Sequence, residues 1–233
     1  MKRETALKIL NEVRESYDKI AEDFSRTRNF FWEEFKPLAK YANIGDRILD
    51  LGCGNGRLLD LLRGKPIEYF GIDISKNLIN IARQRYPNQE FNVFDGLKIP
   101  FDDNYFDKIF CIAVLHHIPG RQLRNEFLQE TKRALQPDGK LILTTWYLWN
   151  KPSFWLSLSK FTLKKIIGKS EFDFFDIIES WGKISQRYLR SFRKSELERL
   201  MVRNGFEIEK IEILQRGPKN KNLFVIAGKK NKE

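Results

Sequence analysis

The chain has few of the residues that build disulfide frameworks and metal centres. Its 233 residues include only two cysteines and two histidines, and the two histidines are adjacent. Cys53 lies in a glycine-rich segment and Cys111 in an apolar run, and neither setting is typical of a disulfide or a zinc ligand. We therefore expect no metal site and a protein of the reducing cytoplasm.

Long hydrophobic runs are also missing. No apolar stretch reaches the roughly 18 residues that a membrane-spanning helix needs. The first ten residues, MKRETALKIL, lack the uninterrupted apolar core of a secretion signal. A hydrophobic fraction of 42% is ordinary for a globular protein, and the length fits one domain. These features agree with the cytoplasmic expectation.

Acidic residues are scarce in the C-terminal third. Residues 150–233 contain 19 Lys and Arg against 10 Asp and Glu, whereas residues 1–149 contain 23 against 21. The formal net charge of +11 therefore comes mainly from this third. Such an asymmetry predicts a polyanionic partner, either a nucleic acid or an anionic membrane. The alternative is a lysine-rich surface that only keeps the protein soluble.

A glycine-rich segment at residues 47–57, RILDLGCGNGR, carries the strongest functional signal. A short apolar run predicts a buried strand with Asp50 at its end, and a helical leucine pattern begins at residue 58. Between them lie three glycines at every second position: Gly52, Gly54 and Gly56. Glycines allow a tight turn and the close approach of a ligand, and the helix N-terminus offers free N–H groups. A dinucleotide site needs a small residue where this chain has Arg57, and a phosphate loop needs a Gly-Lys-Ser/Thr sequence that is absent.

Strand and helix patterns alternate along the rest of the chain. The predicted strands cover residues 48–51, 69–73, 90–94, 106–114, 140–146, 206–214 and 223–228. The alternation predicts an α/β fold with a doubly wound, mostly parallel, Rossmann-like sheet of seven strands. The last two strands follow a helix at 194–204 and surround Gly217-Pro218, which predicts an antiparallel C-terminal hairpin.

Acidic residues stand at the ends of the first three predicted strands: Asp50, Asp73 and Asp95. Ligands of open α/β sheets bind outside the carboxyl ends of the strands. Asp73 lies 17 residues beyond Gly56, near the place expected for an acid that binds ribose hydroxyls. A turn or capping role is the alternative for each acid taken alone. His116 follows the fourth strand and is a candidate for the substrate side, with a loop or capping role as its alternative, while His117 is assigned a structural role.

The segment Asp-x-Gly-x-Gly-x-Gly resembles the first motif of class I S-adenosylmethionine (SAM) methyltransferases at every fixed position. The resemblance implies SAM as the cofactor and S-adenosyl-L-homocysteine as the product. It implies that Asp50 and the glycine loop hold the methionine part, Asp73 the ribose, and Asp95 the adenine amino group. The cofactor-binding residues implied in this way are Asp50, Gly52, Cys53, Gly54, Asn55, Gly56, Asp73, Ile74, Asp95, Gly96 and Ala113.

Four further segments are similar to the tRNA wobble-uridine carboxymethyl methyltransferases, a family that includes a methyltransferase domain fused to an AlkB-like hydroxylase. They are Tyr17–Arg28 with Trp32, Val114–His117, Thr145-Trp146, and Arg187–Leu197. Members of this family esterify the carboxymethyl group on uridine 34 of tRNA. The similarity implies a substrate side lined by Arg28, His116, Arg187, Tyr188 and Arg193. Among these, His116, Arg28 and Tyr188 are the candidates for catalysis. An ionised carboxylate needs no general base, so His116 is expected to orient the acceptor rather than take a proton.

On this resemblance the chain is expected to be one methyltransferase domain in four parts. They are an N-terminal helical lid (1–44), a SAM-binding core (45–149), an inserted helical cap (150–187), and a C-terminal helix with hairpin (188–233). The insert, rich in aromatic residues and lysines, does not match the family. The expected partners are tRNA and a small activating protein subunit, with peripheral membrane contact through 153–169 as a weaker expectation. Two other functions stay open: a small-molecule or lipid/quinone-type methyltransferase, and a catalytically silent SAM- or tRNA-binding subunit.

Overall fold

The computed structural model describes residues 1–28, 33–168, 170–217 and 220–230. The strands are β1 (Arg47–Leu51), β2 (Glu68–Asp73), β3 (Glu90–Val93), β4 (Phe106–Ile112), β5 (Leu135–Tyr147), β6 (Asp176–Trp181), β7 (Ser185–Arg190), β8 (Phe206–Arg216) and β9 (Asn220–Lys229). The α-helices are α1 (Arg3–Thr27), α2 (Leu58–Leu62), α3 (Lys76–Arg85), α4 (Arg121–Ala134), α5 (Pro152–Ile166) and α6 (Lys194–Arg203). Short 3₁₀ helices cover Glu33–Tyr41 and Leu115–His117. No helix in the described ranges combines the length and the apolar character needed to cross a membrane.

Seven strands form one sheet in the order β3-β2-β1-β4-β5-β9-β8. The first five are parallel, whereas β9 runs antiparallel to β5 and β8 antiparallel to β9. The predicted Rossmann-like α/β fold and its C-terminal hairpin are therefore confirmed. Pro218, which the turn prediction included, lies outside the described residues. The strand order reverses between β1 and β4, which opens a crevice at their carboxyl ends.

Alternating side chains of the parallel strands fill two apolar layers, one on each face of the sheet. In β1, Leu49 packs into the layer beneath α4, and its neighbour Ile48 packs into the opposite layer with Phe35. Both β1 side chains are fully buried. This two-sided burial fixes the strand register, and so it fixes where each strand ends and where the acid that follows is placed.

The N-terminal segment begins with one long helix, as predicted. Helix α1 lies against the start of α3, where Asp18 accepts hydrogen bonds from the Ser75 hydroxyl (2.6 Å) and the Asn77 backbone N–H (3.1 Å). A carboxylate is favourable there because the helix N-terminus is partially positive. Trp32, which belongs to the segments that resemble the wobble-uridine family, lies outside the described residues. The later part of the expected helical lid is a 3₁₀ helix containing Pro37, a residue that cannot donate an α-helical hydrogen bond.

The prediction of a helical cap at 150–187 is wrong in its second half. Helix α5 ends at Ile166, and residues 176–190 form the two-stranded antiparallel sheet of β6 and β7. Cross-strand pairs stabilise this hairpin, as in the salt bridge of Glu179 with Arg187 at 2.8 Å. Gly182, at φ +53°, lies in the turn between the strands. The expected boundary at residue 187 therefore falls inside β7 rather than between two elements.

Candidate active site

A cavity lies at the carboxyl ends of β1, β2 and β4, between the glycine loop and α1. Eight of the eleven predicted cofactor residues line it: Asp50, Gly52, Cys53, Gly54, Asp73, Ile74, Gly96 and Ala113. Helix α1 contributes Tyr17 and Phe24 to the wall, and Arg28, the residue that follows the helix, lines the cavity as well. The site therefore forms where the sheet topology predicts it, and the N-terminal helix covers it.

The conformation of the glycine loop explains why glycine occupies its turn positions. Gly52 has φ +80°, and a Cβ placed there would lie 2.3 Å from Cγ2 of Val114. The Gly54 N–H donates to Oδ2 of Asp73 at 2.9 Å, which connects the loop to the end of β2. Asn55 is fully buried and donates to the Ser25 hydroxyl at 3.1 Å, so it connects the loop to α1 rather than lining the cavity.

Two carboxyl groups in this cavity are buried: those of Asp50 and Asp73. Asp50 accepts a hydrogen bond from the Tyr69 hydroxyl at 2.8 Å, and Asp73 also accepts one from the Ser75 N–H at 2.9 Å. Burial raises the pKa of Asp50 to about 7 and that of Asp73 to about 6. Removal from water disfavours the charged carboxylates, so a cationic or hydroxyl-bearing ligand would stabilise them.

Asp95 has a different environment from the other two acids. Its side chain is exposed, and Oδ1 accepts from the backbone N–H groups of Leu97 (2.8 Å) and Lys98 (2.7 Å). It does not line the cavity, although its neighbours Phe94 and Gly96 do. The hydrogen bonds match the turn role that was the alternative for this residue. Its contact with adenine stays a prediction.

Ala113 and Cys53 complete the apolar part of the wall. Ala113 adopts φ +61°, and its N–H donates to the carbonyl (3.0 Å) and the hydroxyl (3.1 Å) of Thr144 on β5. Burial raises the pKa of the Cys53 thiol well above its ordinary value, so the thiol stays neutral. Gly56, at φ +75°, packs beside Phe91 and lies outside the cavity wall.

His117 lines the cavity, whereas His116, the predicted substrate-side residue, does not. His116 is fully buried, with its ring 5.0 Å from that of Trp146, and is not among the residues that line the cavity. His117 lines the wall and lies within 2.8 Å of the Tyr17 hydroxyl. His117 therefore lines the cavity while His116 does not, and the roles predicted for the two residues stay predictions. The two residues share a single 3₁₀ turn, in which adjacent side chains point in different directions.

The hydrogen bonds of His117 define its tautomer. Nδ1 lies 3.0 Å from the backbone carbonyl of Tyr188, which can only accept, so Nδ1 carries the proton. Nε2 is then an acceptor for the Tyr17 hydroxyl, and Arg187 in turn donates to that hydroxyl oxygen at 3.5 Å. Burial and the charge of Arg187 lower the pKa of His117 to about 3. The imidazole is therefore neutral at physiological pH and holds Tyr17 in place.

Two of the predicted substrate residues reach the cavity, Arg28 and Arg187. Tyr188 does not, because successive side chains of β7 point to opposite faces; it is 2% exposed and packs with Ile9 and Val13 of α1. Its contribution to the site is the carbonyl that orients His117. The predicted side-chain role of Tyr188 is thus corrected.

Arg193 also lies outside the cavity wall. Its guanidinium Cζ is 4.5 Å from the ring centre of Trp149 and 5.3 Å from that of Phe175. The side chain is exposed, at the residue that precedes α6. The position favours contact with a large partner over contact with a small reacting group.

Aromatic residues that were not among the predicted site residues also line the cavity, and three of them are Tyr17, Phe24 and Trp146. All three lie within the sequence segments that resemble the wobble-uridine family, so the signal was present in the sequence. Their rings line a cavity that also contains the cations of Arg28, Arg187 and Arg57. An aromatic and cationic wall opposite two acids can accommodate a ligand with both a cationic and an anionic part.

Comparisons with known proteins agree with this geometry. A family profile described as a methyltransferase domain matches residues 49–143. The Xenopus tropicalis tRNA (carboxymethyluridine(34)-5-O)-methyltransferase alkbh8 is 38% identical over 136 residues, which is 58% of this chain and 21% of that protein. The chain therefore spans about a fifth of the length of that relative. A SAM-dependent methyltransferase from Methanosarcina mazei shares the fold, with a TM-score of 0.71, 23% identity, and coverage of 86% and 98% of the two chains.

A second relative matches along nearly the whole length of both proteins. The Schizosaccharomyces pombe tRNA (carboxymethyluridine(34)-5-O)-methyltransferase is 30% identical over 231 residues, which cover 93% of this chain and 96% of that one. The glycine loop and the buried acids lie within the profile match or at its edge. The chain is a class I SAM-dependent methyltransferase and belongs to the family that includes the tRNA wobble-uridine carboxymethyl methyltransferases.

Proposed function

We propose that this enzyme methylates the carboxylate of a carboxymethylated wobble uridine in tRNA and so forms a methyl ester. The observation that carries the proposal is that Arg28 and Arg187 line the same cavity as Asp50 and Asp73. Arginines pair with carboxylates through charge-assisted hydrogen bonds. The names of the relatives from Xenopus and fission yeast support the same acceptor.

The residues that line the cofactor part of the cavity fit SAM. Asp73 presents a carboxylate at the end of β2 that can accept the ribose hydroxyls, and Gly52 and Gly54 line the cavity without side chains. The second buried carboxyl group, that of Asp50, suits a ligand that carries positive charge. SAM supplies a methyl group activated by its sulfonium charge. Proximity and alignment then provide most of the rate enhancement.

The residues of the acceptor side orient and neutralise rather than transfer a proton. A carboxylate is ionised at neutral pH, so its oxygen is already a nucleophile. Arg28 and Arg187 offset the cost of bringing that charge into a partly buried site. His117 is neutral and already accepts from Tyr17, which leaves it unsuited to act as a base. The rings of Phe24 and Trp146 line the cavity and give an unstacked base an aromatic surface to contact.

The deciding experiment incubates the enzyme and methyl-labelled SAM with tRNA that carries carboxymethyluridine, and then treats the product with mild alkali. An ester releases labelled methanol, so we expect the label to become volatile. A matched tRNA that carries unmodified uridine should accept no label. Label that resists alkali and stays on base or ribose would show N-, C- or O-methylation and would refute the carboxylate proposal.

The exposed face of α5 favours one other function, methylation of an acceptor at an anionic membrane. Leu156 is 76% exposed, Leu163 61% and Ile166 70%, and residues 150–170 contain no acidic side chain. An apolar face next to lysines is typical of helices that bind the membrane interface. Flotation with vesicles rich in phosphatidylserine tests this function against tRNA binding. Vesicle binding without tRNA binding at low salt would favour the lipid acceptor.

The expected activating subunit also stays a prediction. An assay of methyl transfer by this chain alone, without any added protein, tests it.

A further inference from the structure

One aromatic ring contacts two of the arginines that line the cavity, Arg28 and Arg187. The guanidinium Cζ atoms of Arg28 and Arg187 lie 4.3 Å and 4.6 Å from the ring centre of Trp181. Arg28 follows the last turn of α1, Arg187 belongs to β7, and Trp181 ends β6. Indole is the side-chain ring that attracts cations most strongly. Two cations that are far apart in the sequence therefore contact one side chain.

The ring is itself fixed against the lid helix. Its indole N–H donates to Oδ2 of Asp23 on α1 at 2.7 Å. In the β6–β7 register Trp181 is paired with Ser185, whose hydroxyl is hydrogen-bonded to that of Ser16, also on α1, at 2.8 Å. Arg187 lies two residues beyond Ser185 and thus on the same face of the hairpin. The ring consequently has a defined orientation before any acceptor binds.

The fixed ring offsets part of the electrostatic repulsion between Arg28 and Arg187. Two guanidinium groups at one cavity repel each other. Glu179 neutralises part of the charge through its 2.8 Å salt bridge with Arg187. Arg28 also lies 4.8 Å from the ring of Phe24, but Trp181 is the ring that it shares with Arg187. The indole contacts both cations, and both arginines line the cavity in which the carboxylate of the proposed acceptor would bind.

We propose that Trp181 is a positioning residue that holds Arg28 and Arg187 as a preformed receptor for the carboxylate of the acceptor, and that it thereby sets the preference for anionic over neutral acceptors. This rests on the proposed function. Trp181 acts through the two arginines and takes no part in bond making. A neutral acceptor of the same shape gains nothing from the paired cations, so the preference is a measurable property of the ring.

The test compares two nucleoside probes, 5-carboxymethyluridine and its neutral carbamoylmethyl analogue, titrated into the protein loaded with S-adenosyl-L-homocysteine. We expect the wild type to bind the acid on the order of tenfold more tightly than the amide. Trp181→Leu should abolish this preference while leaving the affinities for the amide and for S-adenosyl-L-homocysteine within about twofold. Trp181→Phe, which keeps a ring and loses the N–H bond to Asp23, should retain most of the preference. Trp155→Leu replaces a tryptophan outside the cavity and should match the wild type.

Equal binding of acid and amide by the wild type would overturn the proposal, and so would an undiminished preference in a folded Trp181→Leu protein. Loss of affinity for both probes and for S-adenosyl-L-homocysteine together would assign Trp181 a purely structural role and would also overturn it. The alkali test of the methyl ester is a separate measurement on wild-type turnover. The alkali test can therefore refute the proposed function while the titrations still show the acid preference. Equally, the titrations can show no acid preference while the alkali test still detects a methyl ester.

Discussion

Binding of SAM should release protons, because the two buried carboxyl groups change their ionisation when the ligand arrives. The pKa values of Asp50 and Asp73, about 7 and about 6, both lie above the ordinary value of 3.8. A raised carboxyl pKa means that the ligand-free protein prefers the protonated form. A ligand with a sulfonium cation and ribose hydroxyl donors favours the ionised forms and lowers both pKa values. Affinity should therefore rise with pH through this window and level off above it.

The size of the effect follows from the two pKa values. At pH 6.5, about three quarters of the Asp50 groups and about one quarter of the Asp73 groups are protonated in the free protein. Full ionisation on binding then releases about one proton per SAM, and almost none at pH 8.5. Between pH 8.5 and 5.5 the affinity should fall by up to roughly a hundredfold. S-adenosyl-L-homocysteine lacks the sulfonium charge, so its binding should release fewer protons.

Calorimetry in two buffers of different ionisation enthalpy measures this release directly. At pH 6.5 the apparent binding enthalpy should differ between phosphate and Tris, and at pH 8.5 the two values should converge. Asp50→Asn keeps an acceptor for Tyr69 and should remove most of the release, whereas Asp95→Asn, at an exposed acid, should leave it unchanged. A buffer-independent enthalpy at pH 6.5 would refute the reasoning.

Three further changes have defined outcomes. Gly52→Ala should lower the free energy of unfolding by roughly 1–3 kcal/mol in urea titrations, because the residue has φ +80° and its Cβ would clash with Val114; equal stability would contradict the strain. Asp18→Ala removes the acceptor that anchors α1 to the start of α3 and should speed SAM dissociation several-fold in stopped flow, whereas Asp18→Asn should retain part of the anchor. The double variant Lys160→Glu with Lys183→Glu should weaken tRNA binding to the same extent for all sequences. The slope of log affinity against log salt concentration should become less steep by about 0.7 for each phosphate that is no longer neutralised. An unchanged slope would place the RNA on another surface.

The parts of the site that the sequence predicted are those set by local chemistry at strand ends. Glycines at every second position, an apolar run before them and an acid at each strand end are all visible without tertiary structure. Parallel pairing then brings these ends to one edge, so Asp50 and Asp73 meet at the glycine loop. Asp95 followed the same pattern, but its own loop N–H groups supply its hydrogen bonds.

The parts that the sequence did not predict depend on the direction of a side chain. His116 and His117 are adjacent in one short turn, and only packing against Trp146 and Tyr17 decides which ring faces the cavity. In β7 a single step along the strand separates cavity-lining Arg187 from buried Tyr188. The β6–β7 hairpin was missed because its aromatic and lysine-rich surroundings outweighed two short strand patterns around Gly182.

The arrangement of charge explains why one helix serves both halves of the site. The acids lie at the ends of β1 and β2, and Arg28 and Arg187 lie at the end of α1 and on β7, so on the proposed function the cofactor and the acceptor carboxylate would contact different parts of the cavity wall. Helix α1 contacts both walls, because the Ser25 hydroxyl accepts a hydrogen bond from Asn55 of the glycine loop and Asp23 accepts one from the Trp181 indole N–H. Because Arg28 follows α1 and Arg187 belongs to β7, the pairing of the two arginines across Trp181 depends on how α1 packs against the hairpin.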